Sequence, residues 1–142
     1  MSTPRLRLWA ITSMAALFAL SGCTSLAPTC PSAADVQPEQ LHGIWKVQLD
    51  GTGTDWSLQL ELHPEHRGSL RGELTHGTQR HLVVADLDKG EFTLEESRDG
   101  VRIAATWLGK VQAGSCAQII NGTRQAGSGA EQRFEMRSER LR

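Results

Sequence analysis

The chain has 142 residues, with 15 Lys and Arg against 16 Asp and Glu and a formal net charge of −1. That length supplies one domain of ordinary size and too little for two unless both are tiny. No block of basic residues occurs, which argues against nucleic acid and leaves cations, neutral ligands, proteins and cell-wall polymers open as partners.

The chain opens with Arg5 and Arg7, runs through mostly apolar residues from Leu8 to Leu20, and closes that run with Ser21, Gly22 and Cys23. A basic start, a short apolar run and small residues are the layout of a secretory signal, since a membrane span needs roughly 18 apolar residues or more. Leu20-Ser21-Gly22-Cys23 resembles the lipobox of bacterial lipoproteins. The resemblance implies that residues 1–22 are a removable signal peptide, that the Cys23 thiol is joined to diacylglycerol, and that the new amino terminus is acylated, with palmitate as a typical chain. Several acyl chains give stable membrane anchoring where one is marginal. Thr24, where an Asp would signal retention, implies an outer-membrane address facing the periplasm in an envelope with two membranes. Loss of Arg5 and Arg7 takes the net charge to about −3.

The chain has three cysteines. With Cys23 taken by lipid, Cys30 and Cys116 remain as a disulfide pair in an oxidising compartment. The loop they close is long, so chain entropy alone would stabilise the fold by about 4–5 kcal/mol. Two free thiols or half of a metal site are the competing readings, and the spacing supports neither. Residues 23–40 are rich in Ser, Ala, Thr and Pro, including Pro28, Pro31 and Pro38, and read as a lipidated tether. A disulfide at Cys30 would strap its later part to the domain at 41–142.

From Gly43 the hydrophobic period is two, with turn signals every ten to fifteen residues. Trp45, Val47 and Leu49 alternate with polar residues, and Trp56, Leu58, Leu60 and Leu62 repeat the alternation after the turn from Gly51 to Asp55. Strict alternation predicts strands with one wet face. Further strands are expected around Leu70–Leu74, Val83–Leu87, Phe92–Leu94, Val101–Trp107, Cys116–Arg124 and Phe134–Met136. Eight consecutive strands with short links predict an all-β fold, an eight-stranded antiparallel up-and-down barrel, because closure removes the exposed edges of a long sheet. A two-sheet β-sandwich is the alternative. In such a meander the segment before Gly43 and Cys116 share one rim, which the tether would hold toward the membrane. The other rim carries Asp50–Asp55, His76–Gln79, Ser97–Gly100 and Gln125–Ala130, and it is the expected place for a ligand or partner.

Gly43-Ile44-Trp45, at the start of the first strand, is similar to the Gly-x-Trp signature of the calycin group, which includes lipocalins, avidins and periplasmic metalloprotease inhibitors. The resemblance spans roughly Gly43 to Arg137. It implies a Trp45 packed at the barrel base under a basic side chain from the last strand, either Arg133 or Arg137. The sequence departs from avidins in having no Tyr and from typical lipocalins in its small size, so neither group's ligand carries over. The apolar inward positions, about twenty, are enough to fill a barrel of this width. Trp56, with Asp55 in the adjoining loop, is the candidate ligand-binding position.

No catalytic constellation assembles from the remaining residues. Ser69, Ser115 and Ser128 follow no nucleophile pattern. His76 and His81 show no matched acid and nucleophile, and Glu95 and Glu96 alternate sides of a strand. His42, His63 and His66 could converge at the strapped rim, but His63-Pro-Glu-His66 reads as a solvated turn, so no metal or cofactor is expected. Asn121-Gly122-Thr123 matches a glycosylation acceptor by letter and reads as tight packing within a strand. The expected function is that of a lipid-anchored, non-enzymatic envelope lipoprotein acting as a binding module for a small molecule or a protein. The alternatives are a structural or envelope-assembly lipoprotein, for which a filled barrel with an exposed apolar patch would speak, and a protease-inhibitor-like protein.

Overall fold

A computed structural model describes residues 29–140. The expected signal peptide at 1–22 and the expected lipidation position Cys23 lie outside the described residues. Eight strands close into one antiparallel barrel in which each pairs with its neighbours in sequence and the last pairs with the first. They are β1 (Gly43–Leu49), β2 (Trp56–Leu62), β3 (Ser69–His76), β4 (Gln79–Asp88), β5 (Glu91–Ser97), β6 (Ile103–Val111), β7 (Ile119–Ala126) and β8 (Gln132–Ser138). The barrel expectation holds and the sandwich does not. Period-two alternation sends Trp45, Val47, Leu58, Leu60, Leu70, Leu74, Leu94, Trp107, Ile120 and Met136 into a core where each is almost completely buried. Burying one leucine side chain stabilises the fold by about 2 kcal/mol, and this row of inward groups is the main force that closes the sheet.

Two glycines permit the closure. A Cβ on Gly72 would fall inside the carbonyl oxygen of Gln59, and one on Gly122 inside that of Leu108. Neighbouring backbones therefore approach more closely at these points than any side chain allows, and the wall bends there.

The arm before β1 is packed rather than loose. Two short 3-10 turns, Ala33–Asp35 and Pro38–Leu41, lay Val36, Pro38 and Leu41 against the barrel's lower end. The backbone carbonyl of Leu41 accepts the indole N–H of Trp45 at 2.9 Å. Trp45 is thus closed over by the arm. Arg133 and Arg137 do not provide the expected cover. They alternate with the inward Phe134 and Met136, so both point outward and are exposed. Cys30 and Cys116 form the expected disulfide, with Cα atoms 4.7 Å apart, and it pins the arm to the turn before β7. In that turn Cys116 and Ala117 both adopt left-handed backbone angles, φ 53° and 59°, a conformation that costs L-residues about 1–2 kcal/mol each. The disulfide and the burial of Ala117 hold them there.

Three strand expectations need correction. Val101 and Ile103 do not join Ala105 and Trp107 in the core. β6 begins only at Ile103, and its pairing with β5 slips between Glu96 and Ser97, which puts Val101 and Ile103 on the surface. Leu62 leaves the inward row at the end of β2, where the barrel wall gives way to the turn, and is 44% exposed. β7 starts at Ile119, because the left-handed turn occupies Cys116 and Ala117.

Candidate functional site

Two places on the barrel depart from a plain apolar-in, polar-out pattern. The first lies inside, below the open rim. Glu96 is completely buried, yet four donors serve its carboxylate. Arg124 donates Nε–H to Oε2 at 3.0 Å and Nη2–H to Oε1 at 3.2 Å, Trp107 donates its indole N–H to Oε2 at 3.1 Å, and His81 bonds Oε1 through Nδ1. The residues come from four strands, β4 through β7, whose register brings their inward positions together. Arg124 also reaches Gln132 of β8 and lies 5.3 Å from the ring centres of both Trp56 and Trp107. A buried carboxylate is costly alone and tolerable when its charge is balanced and its lone pairs are filled, and both conditions are met here.

His81 therefore has a matched acid after all. In sequence, Glu96 is only one of two adjacent acids on opposite sides of a strand. That alternation itself contained the signal, since with Glu95 outside, Glu96 had to be inside and in need of a counter-charge. Trp56, the candidate ligand-binding residue, is 8% exposed and covered. His76 stacks on it with ring centres 4.5 Å apart, and Thr54 holds the His76 ring through a 2.8 Å bond to Nε2. The Trp56 indole N–H is buried without a partner in the protein. Asp55 is exposed in the adjoining loop. The two are neighbours in sequence, but the structure does not bring them into a common open site.

The lower rim holds the other histidines. His63 and His66 face each other at 4.4 Å in their turn, and the His63 Nδ1 accepts the backbone N–H groups of Glu65 and His66. His42 is exposed. Among the described residues no group of three His, Cys, Asp or Glu is placed to hold a metal.

The second place is on the outer wall. A groove of about 580 Å³ crosses β2 to β6, lined by Arg71, Leu82, Val84, Glu95, Val101 and Ile103 among others. Leu82 is 55% exposed, Val84 44%, Ile103 57% and Val101 85%. These are large aliphatic side chains left in water on one side of the molecule. Gly72 lies in the groove floor, where its bend draws β3 toward β2. The turn at the groove's edge is built by Asp99, whose carboxylate accepts the backbone N–H groups of Val101 and Arg102 and the side chains of Arg102 and Ser97. The backbone donors of Arg102 and Val101, followed by the Arg102 and Ser97 side chains, hold the Asp99 carboxyl far below the usual carboxylate range. The turn fixes Val101 at its tip.

The sequence missed this groove because it assigned Val101 and Ile103 to the core from their spacing alone. The signal that could have corrected it was Asp99-Gly100 directly before them, which marks a turn that need not end where alternation resumes. No protein-family model matches the chain, and no curated protein matches it.

Proposed function

We propose that this protein is a lipid-anchored, non-enzymatic structural or assembly component of a bacterial cell envelope, the alternative that a filled barrel with an exposed apolar patch favours, and that it binds another protein through its outer wall. The observation that carries this reading is the pairing of a side-chain-filled barrel with an outer groove in which four aliphatic side chains stand exposed among charged ones such as Glu61, Arg71, Glu73 and Glu95. Twenty apolar residues form one buried cluster inside the barrel and beneath it, whereas Leu82, Val84, Val101 and Ile103 stand in water outside. Contiguous exposed apolar surface on a small soluble domain marks an interaction site. Since every strand has both neighbours, a partner cannot add a strand to the sheet and must use side chains in the groove. Among the described residues no helix is long and apolar enough to cross a membrane. Anchoring is assigned to Cys23, with the Cys30 bridge seven positions later bringing the leash to the lower rim and leaving the wall facing sideways.

The test has two arms. Mass analysis of the protein isolated from a bacterial envelope is expected to show a mature chain that begins at a triacylated Cys23. A photo-crosslinking residue at Val84 is expected to join the protein to a protein, with the same probe at the exposed Gln48 of β1, away from the groove, giving no product. An unacylated amino terminus would remove the anchoring claim. A stoichiometric small molecule retained by the barrel, with no crosslink from Val84, would replace the protein-binding claim with the small-ligand one.

A further inference from the structure

We infer that the groove's occupant is a second copy of this chain, docked wall to wall; this rests on the outer wall being the binding face. The argument starts from register. Arg71 of β3 pairs with Val84 of β4, and Val84 pairs with Glu95 of β5. All three point outward, and adjacent strands lie about 4.8 Å apart. Arg71 and Glu95 therefore stand about 10 Å apart with an exposed valine midway. A two-fold axis lying in the interface along β4 exchanges left and right and keeps the height. It places Val84 on Val84, Leu82 on Leu82, and Arg71 of each copy on Glu95 of the other; at the two ends of the same row it brings Arg80 toward Arg80 and Asp86 toward Asp86, where Glu73 pairs with Arg80 at 3.2 Å and Ser69 donates to Asp86 at 2.5 Å within each copy.

A partner of any other kind would have to supply an aliphatic centre with an acid on one side and a base on the other at this same spacing. The wall itself has that layout. Glu95 makes no ion pair among the described residues, and Arg71 is bound only to Glu61 in an exposed pair at 2.8 Å, which leaves guanidinium N–H groups for a second carboxylate. The Asp99 turn adds one convex feature, with Val101 at its tip, beside one concave groove, as a reciprocal contact requires. The same axis keeps the disulfide-strapped rims of both copies at one end of the dimer. Two leashes can then reach one membrane, where confinement raises the effective concentration of a weak pair.

The experiment uses the full acylated chain in mild detergent, followed by sedimentation equilibrium. The wild type is expected to be a reversible dimer. Glu95→Arg and Arg71→Glu are each expected to weaken dimerisation at least tenfold through like-charge contact. Their combination is expected to restore it to within about threefold, because the swapped pair re-forms across the axis. Homodimer crosslinking from a photoreactive residue at Val84 in the otherwise wild-type chain provides a readout that no charge change can disturb. A monomer at all accessible concentrations overturns the inference, as does a dimer indifferent to both single changes or a double variant that fails to recover. A monomer that still crosslinks from Val84 to a different envelope protein removes the self-association while leaving the binding role intact. Absence of both products removes both.

Discussion

The two faces of β4 and β5 run against expectation in opposite senses. On the inner face, His81 and Glu96 are polar groups taken out of water. On the outer face, their sequence neighbours Leu82 and Glu95 flank an aliphatic groove that is left in it. The difference lies in satisfaction. The inner carboxylate receives four hydrogen bonds, two of them from the balancing guanidinium of Arg124, so it asks for nothing further. Outside, Leu82 and Val84 are about half exposed and Val101 almost wholly so, and they gain only when something covers them. Buried ionic groups are weak evidence for stability and can serve to fix one arrangement of a core. Here the cluster ties four strands together at the end of the barrel opposite the disulfide, while the surface inversion points to a partner.

The largest effect should come from breaking the inner face. Arg124→Met leaves the Glu96 carboxylate buried without its counter-charge and is expected to lower stability by about 3–5 kcal/mol in urea unfolding. Replacing both partners, as Glu96→Leu with Arg124→Met, should recover most of that loss, since an apolar pair leaves no uncompensated charge. A double variant as unstable as the single one would show that the cluster's donors, and not its charge balance, hold the strands.

Next in size, and remote from both faces, is the bridge at the lower rim. Cys30→Ser with Cys116→Ser should lower stability by about 2–4 kcal/mol, inside the chain-entropy limit of about 4–5 kcal/mol, while the far-ultraviolet spectrum keeps its β form, because the arm retains Val36 and Leu41 in the core. On the outer face the expected signature is reversed. Val84→Asp should change stability by no more than about 0.5 kcal/mol and abolish the dimer in sedimentation. A large loss of stability there would mean that the wall is part of the core and the contrast between the faces is false.

The smallest effect concerns pH. A carboxyl held far below its ordinary value in the folded protein contributes stability above the unfolded value of about 4. That contribution falls away progressively as pH drops from the unfolded value and is gone once pH has passed the lower, folded one. The Asp99 turn should therefore keep slow exchange of the Val101 and Arg102 amides from neutral pH down through the ordinary carboxylate range, and release them only in stronger acid. Asp99→Ala should release them at neutral pH. Fast exchange in the wild type near pH 4 would contradict the turn's role in presenting Val101.

How much of this was legible in the sequence depended on whether a signal was periodic or conditional. The eight strands and the filled core were legible because alternation of apolar and polar residues is forced by strand geometry, and Trp56-Ser-Leu-Gln-Leu displays it without interruption. The disulfide was legible by counting. The wall groove was not, because Val101 and Ile103 keep the same alternation after the chain has slipped register at Ser97, and periodicity cannot report a slip. The Glu96 cluster was half legible. Its position was inward by alternation, but Arg124, 28 residues away in sequence, becomes its partner only through a closed sheet. The cover over Trp45 was misplaced for a related reason, since the parity of β8 sends Arg133 and Arg137 outward once Phe134 and Met136 are inside.

The bridge between Cys30 and Cys116 also decides how the molecule would carry a pull. In a chain held at Cys23, tension travels along seven residues and then crosses the disulfide into the turn between β6 and β7, bypassing residues 31–41. The arm that covers Trp45 lies outside the line of force. A tug on such an anchor would pass into the covalent frame of the barrel, and the packed arm would not be peeled away from the end it seals.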